Sequence, residues 1–258
     1  MKLFAFDLDG TLLPVNGGFT PETLAMVRDL QHRGHLVTII TGRTLESARP
    51  WALRLGINAP LGLLQGTVVK HLDGQILSQR TMPFAQVRPA VTLAEADHLQ
   101  VEAFRDSELF INYLVPGAPE PFANQGLAPK LVGSFAHFEA EVSKVVIVAN
   151  PQWISAKRPQ IRAAAPQAHF TTADANYLEL LPPGVNKSTA LQFLAQYYGI
   201  AQHDTIAAGD NWNDTEMIAW AGTGIAMGNA PEVVKCQAKL IVGTVADHSL
   251  VEAVLALA

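Results

Sequence analysis

Apolar and polar positions alternate with two different periods along the chain, and the switch between them outlines the fold. Lys2–Phe6 is a short apolar run without a polar face, the pattern of a strand covered on both sides. A helix is expected from Thr20 as N-cap, with Pro21 at its first position, Gly34 just past its end, and Leu24, Val27 and Leu30 on one apolar face. A second buried strand at Leu36–Thr41, a helix between Thr44 and Gly56 and a third strand at Leu61–Leu64 continue the series. Strand–helix–strand repetition implies parallel pairing in a doubly wound sheet.

From about residue 70 the pattern changes. Asp73-Gly74 between apolar flanks predicts a hairpin with a type I′ turn. A helix at Pro83–Leu99 and a hairpin around Asp106-Ser107-Glu108 follow. Pro116–Pro129 has four prolines and reads as a loop or edge segment. A strand at Lys144–Ala149, a helix at Gln152–Ala165 and strands at Phe170 and Tyr177–Leu181 complete an α+β stretch. After Pro182-Pro183-Gly184 the alternating series resumes: helix Lys187–Tyr198 capped by Asn186, strand Thr205–Gly209, helix Thr215–Trp220, strand Gly224–Met227, helix Glu232–Ala238, strand Leu240–Val242 and helix Leu250–Leu257. The chain is therefore read as an α/β core, residues 1–81 plus 186–258, enclosing an inserted unit, residues 82–185.

Composition narrows the class. The chain of 258 residues is 49% hydrophobic and 16% charged, which excludes a disordered polymer. A net charge of −5 excludes the broad basic footprint of a nucleic-acid binder. The single cysteine, Cys236, excludes an intrachain disulfide and reads as a packed helix residue. Acids inside the first apolar stretch argue against a signal peptide, and no apolar run approaches the length of a membrane span. A cytoplasmic location follows as the expectation, with no nucleic acid, membrane or protein partner indicated.

In such sheets ligands bind at the carboxyl ends of strands. Three polar clusters fall there: Asp7-Leu8-Asp9-Gly10-Thr11, Thr41-Gly42-Arg43 and Gly209-Asp210-Asn211-Trp212-Asn213-Asp214. In extended chain Asp7 and Asp9 point the same way, and two adjacent carboxylates call for a hard cation. Asp210 and Asp214 add oxygen ligands, and no cluster of His or Cys competes, so magnesium is the economical choice. Gly42 permits close approach of an anion, and Lys187 at a helix start can set its charge beside a phosphate. Arg43 is open between a substrate contact and a structural ion pair, and Trp212 is expected to pack beneath its loop.

These clusters, in this order and with the insertion after the second, resemble the haloacid dehalogenase (HAD) superfamily of aspartate-nucleophile phosphatases, in particular its Cof-type branch with a type-IIB cap. Asp7–Leu13 resembles its first motif and Thr41-Gly42-Arg43 its second. Pro183–Lys187 resembles the lysine motif, and Gly209–Asp214, followed by Met227-Gly228-Asn229-Ala230, the acidic motif. The resemblance implies a Rossmann-like core, a flap after Asp9 and an α+β cap over the carboxyl edge. It implies that Asp7 attacks phosphorus to form an aspartyl-phosphate and that Asp9 is the acid and base. Thr41, the Gly42 and Leu8 amides and Asn213 would hold phosphoryl oxygens, with Lys187 neutralising charge. Magnesium would sit on Asp7, the Asp9 carbonyl and Asp210, with Asp214 as ligand or support. The substrate implied is a small phosphorylated metabolite, and Asp9 itself favours a phosphate ester, because displacement of a halide needs no proton. A phosphomutase of the related capped type and a non-catalytic phosphometabolite-binding protein are the alternatives. Asn112, Tyr113, Asn124 and Gln125 are expected to line the cap. Gln65-Gly66-Thr67 stands where the family often has Asn-Gly-Ala, a departure expected to alter contacts near the leaving group.

Overall fold

Leu3–Phe6 (β1) is buried at every position, as a strand covered on both faces must be. In the computed structural model, which describes residues 1–14, 17–114 and 126–258, β1 lies inside a five-stranded parallel sheet. Thr20 caps Pro21–His32 (α1) by accepting the Thr23 N–H at 3.1 Å. Thr23, Met26, Val27 and Leu30 form its buried face, while Leu24, one step off that stripe, is only half-buried. Leu36–Ile39 (β2) pairs parallel with β1, and Leu45–Leu55 (α2) follows.

The third strand departs from expectation. Leu61–Leu63 (β3) meets the end of β2 through one parallel bridge, Ile40 to Gly62, but its ladder runs antiparallel with Val68–Lys70 (β4). Ile76–Gln79 (β5) completes this separate three-stranded sheet. The connection Leu64–Thr67 is too short for the crossover a parallel neighbour needs. The turn between β4 and β5 is also not type I′. It is closed by Gly74 N–H to His71 O at 3.0 Å, and only Gly74 has positive φ (+99°). Type I′ needs two such residues, so this is a longer hairpin loop ending in a left-handed glycine.

Two compact units emerge. Residues 1–43, 48–78 and 186–258 form the first, and 44–47 with 79–185 the second. The second contains Met82–Pro83 (β6), Arg88–Ala96 (α3), Gln100–Arg105 (β7), Glu108–Ile111 (β8), Lys130–Leu131 (β9), Glu141–Val142 (β10), Lys144–Val148 (β11), Pro151–Ala164 (α4), His169–Thr171 (β12) and Tyr177–Leu181 (β13). Six of its strands make a sheet in the order β12-β13-β11-β7-β8-β9, antiparallel except for β8–β9. Val101, Ala103, Val145, Ile147, Leu178 and Leu180 share one apolar cluster with α3 and α4. Strand alternation therefore sends Gln100, Glu102, Lys144 and Glu179 to the other face. Asn112 does not line a binding surface. Its buried amide accepts the Val101 and Tyr113 N–H groups, both at 2.9 Å, and donates to Leu99 O at 2.9 Å. Asn124 and Gln125 lie outside the described residues, as does most of the proline-rich stretch.

The first unit resumes with Lys187–Tyr197 (α5), Thr205–Gly209 (β14), Thr215–Trp220 (α6), Thr223–Ala226 (β15), Glu232–Lys235 (α7), Leu240–Ile241 (β16) and Ser249–Leu257 (α8). The sheet order is β16-β15-β14-β1-β2. Leu3, Ala5 and Ala207 pack against α5 and α6. Phe4 and Phe6 point the opposite way, and α1 packs on β2 and α8. The sheet is thus doubly wound, and the order of connection reverses beside β1, the place where such sheets bind ligands at their carboxyl ends. Because α7 is a single turn, Cys236 falls past its end and is exposed rather than packed.

Candidate active site

The site starts where β1 stops. Asp7 N–H extends the ladder to Ala208 O (2.9 Å), and the chain then turns tightly, with Gly10 N–H donating to Leu13 O (2.8 Å) and Leu12 and Leu13 N–H to Leu8 O (3.1 and 2.8 Å). Gly10 has φ +87°, and a Cβ there would lie 2.3 Å from Asp210 Oδ2, so both conformation and space require glycine. Because the turn begins at once, Asp7 and Asp9 do not share partners. Asp7 is buried. The Asp9 carboxylate, 55% exposed, accepts from Arg43 Nε (2.8 Å) and Nη2 (2.5 Å) in a two-pronged ion pair. Of the two roles open to Arg43, an ion pair is the one observed.

A buried charge cluster surrounds Asp7. Asn186 accepts the Ser188 N–H at 2.9 Å and so caps α5. Capping sets Lys187 at the first helical position, with its side chain fully buried. Its ammonium lies 2.5 Å from Asp7 Oδ1 and 2.6 Å from Asp214 Oδ1. Asp214 Oδ2 accepts the backbone N–H groups of Asp210 and Asn211, both at 3.0 Å. Thr11 Oγ1 and Asn229 Nδ2 each donate to Asp210 at 3.0 Å. Burial pushes the Asp7 carboxyl well up, Asp214 and Asp210 adding to the effect and Lys187 opposing it. Burial, with Asp214, pushes Asp210 up to about 6. Burial alone would lower Lys187, but Asp214 and Asp7 outweigh it and push the ammonium up.

Carboxylate oxygens of Asp7, Asp210 and Asp214 lie within 4.8 Å of one another. Three acids against one lysine leave an excess of two negative charges, which a divalent cation matches. The donors are all oxygens, the set that hard cations prefer. The residues fit a divalent metal. Asp214 accepts from three protein donors and Asp210 from two, so Asp214 is the more fully occupied of the two.

Thr41 and Asn213 flank this cluster. Thr41 is buried, with its N–H on Gly62 O (2.9 Å), and its Oγ1 accepts the Arg43 N–H (3.3 Å). Asn213 is buried, and its Nδ2 donates to Gln65 Oε1 at 3.0 Å. Trp212 beside it is 47% exposed rather than packed beneath the loop. Sequence reasoning gave no role to Thr11 or Asn229, which hold Asp210, and it expected Gln65 to alter contacts near the leaving group, not to bond Asn213. A hydroxyl or amide next to a glycine at an acid-rich strand end is the signal that would have found the first two.

The sequence profile of the haloacid dehalogenase-like hydrolases matches residues 4–254. The chain belongs to the haloacid dehalogenase-like hydrolases. It falls in their Cof-type branch. An HMP-PP phosphatase of Cronobacter sakazakii is 32% identical over 231 residues, 89% of this chain and 85% of that protein. An HMP-PP phosphatase of Escherichia coli is 30% identical over the same shares. Among solved structures, a haloacid dehalogenase-like hydrolase from Bacteroides thetaiotaomicron superposes with a TM-score of 0.84 at 24% identity, over 100% of this chain and 99% of that one. A HAD subclass IIB sugar phosphatase gives 0.88 at 16% identity over 100% of both chains. Both show the fold. HAD hydrolases use a divalent metal, in keeping with the acid cluster of this one. Among the described residues no helix is long and apolar enough to cross a membrane.

Proposed function

We propose that this HAD phosphatase is magnesium-dependent and hydrolyses a small phosphorylated metabolite through an aspartyl-phosphate on Asp7. The observation that carries the reading is the Lys187 ammonium held between Asp7 and Asp214, with Asp210 in the same cluster. Lys187 favours the ionised form of Asp7 against the opposing effect of burial, and an ionised carboxylate is what nucleophilic attack requires. An oxygen of Asp7 attacks phosphorus as the bond to the leaving oxygen breaks, and Asp9 gives that oxygen its proton. Asp9 then removes a proton from water, whose oxygen displaces Asp7 and releases inorganic phosphate. For the first of these steps Asp9 must take up a proton and leave the Arg43 fork. Thr41, the Leu8 and Gly42 amides and Asn213 hold the phosphoryl oxygens. Asp7, the Asp9 carbonyl and Asp210, with Asp214 in support, would hold magnesium, which would supply positive charge beside the phosphoryl oxygens. The unit at residues 82–185 selects the leaving group.

The test is phosphate release from a panel of phosphorylated metabolites, with HMP-PP first because of the named relatives. It is run with and without magnesium, beside Asp7→Asn. Magnesium-dependent release that the variant lacks is the expected result. No release from any compound by a folded, magnesium-binding protein overturns the reading.

A further inference from the structure

Leu64, Gln65 and Gly66 are three consecutive residues with positive φ, at +48°, +63° and +89°. Two neighbouring non-glycine residues in the left-handed region persist only where their surroundings over-determine them. Here the surroundings are the site itself. Leu64 N–H donates to Arg43 O (2.9 Å) and Gln65 N–H to Thr41 O (3.0 Å). A Cβ on Gly66 would lie 2.4 Å from Asn186 O, the residue before Lys187. The Gln65 side chain is 1% exposed, and its Oε1 accepts from Asn213 Nδ2 at 3.0 Å. Its Nε2 lies so close to Gly42 that a Cβ there would sit 2.7 Å away. One amide therefore spans from the Thr41-Gly42 loop to the Asn213 loop, two segments with no covalent link nearby.

We infer that Gln65 is a positioning residue, whose side-chain amide sets the spacing between the Thr41-Gly42 loop and Asn213, and with it the fit of the phosphoryl site. The inference rests on the proposed function, in which these two segments hold phosphoryl oxygens. An amide nitrogen carries two hydrogens. Gln65 takes one from Asn213 and thereby orients the other toward an incoming oxygen. The left-handed turn brings the glutamine in from the side of the Thr41 loop, where an ordinary strand would carry it past. A transition state is more sensitive than a ground state to the width of such a site, so the residue acts chiefly on turnover.

The experiment compares Gln65→Gly, Gln65→Leu and Gln65→Asn with the parent in magnesium. It measures kcat and KM on a small phosphate ester, inhibition by orthovanadate and by orthophosphate, and the thermal midpoint. Glycine suits the left-handed backbone, so Gln65→Gly removes the amide while keeping the turn. Gln65→Gly is expected to hold the parent's midpoint, lose about 10- to 100-fold in kcat with a small change in KM, and weaken vanadate more than phosphate. Gln65→Asn, which keeps an amide and tolerates the left-handed backbone, recovers part of the loss, and Gln65→Leu does not. A Gln65→Gly enzyme that matches the parent in kcat and vanadate inhibition overturns the inference and leaves the phosphatase reading standing. A parent that neither releases phosphate nor binds vanadate overturns both.

Discussion

Each unit of the molecule buries a lysine among carboxylates, and the two clusters differ in what they leave unbalanced. Lys144 Nζ lies 3.1 Å from Glu179 Oε1 and 4.8 Å from the Phe104 ring centre. Glu179 on β13 and Glu102 on β7 both pair across Val146 of β11, so adjacent strands fix the group. Burial pushes the Glu102 carboxyl up, with Lys144 opposing, and Gln100 Nε2 donates to it at 2.9 Å. A single proton on Glu102 is all that would be needed to leave Lys144 and Glu179 as a balanced pair. Around Lys187 there are three acids, and they sit on loops past the ends of parallel strands. One proton does not balance them. A buried charge is thus no mark of a site. A surplus of one sign, held on loops at a sheet edge, is.

The comparison breaks first at Asp7. Asp7→Asn should cut phosphate release by at least about a thousandfold, as loss of a nucleophile does. The same change should leave the metal-free protein at least as stable in urea, because it removes surplus charge. Loss of stability with turnover retained would invert the reading of this cluster. Next come the lysines. Lys187→Met and Lys144→Met each strand buried carboxylates and should each cost about 3–5 kcal/mol in urea unfolding. Only the first should abolish turnover. Lys144→Met combined with Glu179→Leu should recover most of the stability, since an apolar pair replaces an ion pair at little cost.

The pH dependence sharpens the contrast. With its folded-state pKa held at about 6 by burial, Asp210 binds its proton more tightly folded than unfolded. Its contribution to metal-free stability is therefore complete below about pH 4 and is lost as pH rises through 6. Asp7 is shifted in the same direction. Asp210→Asn should flatten this decline. Magnesium at a hundred times its dissociation constant at pH 7 should add about 2.7 kcal/mol there, and the same concentration should add less at pH 5, read as a rise in Tm. The smallest effect belongs to Asn112→Ala, which leaves backbone groups unpaired in the second unit. It should cost about 2 kcal/mol and leave turnover unchanged. A change in turnover would return Asn112 to the substrate side.

What the chain discloses in advance depends on distance along it. Thr20 with Pro21, and Asn186 before Lys187, are local signals, and each helix begins where they say. The strands of the parallel sheet are apolar runs with no polar face, legible for the same reason. The acid and lysine motifs were legible because each is a short run, the acids at strand ends and Lys187 at a helix start. The pairing of Asp9 with Arg43 was not, because a turn starting at Asp7 rotates one carboxylate away from the other. Nor was the Leu64–Gly66 turn, since nothing in leucine or glutamine favours positive φ and only the packed site imposes it. The antiparallel pairing of β3 with β4 follows from that turn, so both were missed together. Glu179 inside the apolar run Tyr177–Leu181 was visible, yet its lysine partner is 35 residues away.

The position of β1 in its sheet has a consequence for the birth of the protein. Its neighbour β14 belongs to the last quarter of the chain, and Thr11 is separated from Asp210 by 199 residues. At roughly 5–20 residues per second, a ribosome takes tens of seconds to deliver the second edge after the first has emerged. Throughout that interval the bare Leu3–Phe6 strand has an open hydrogen-bonding edge and two apolar faces, the conditions that invite wrong partners. Nascent chains of this protein should therefore lean on holdase chaperones early in synthesis and release them abruptly once β14 has cleared the exit tunnel.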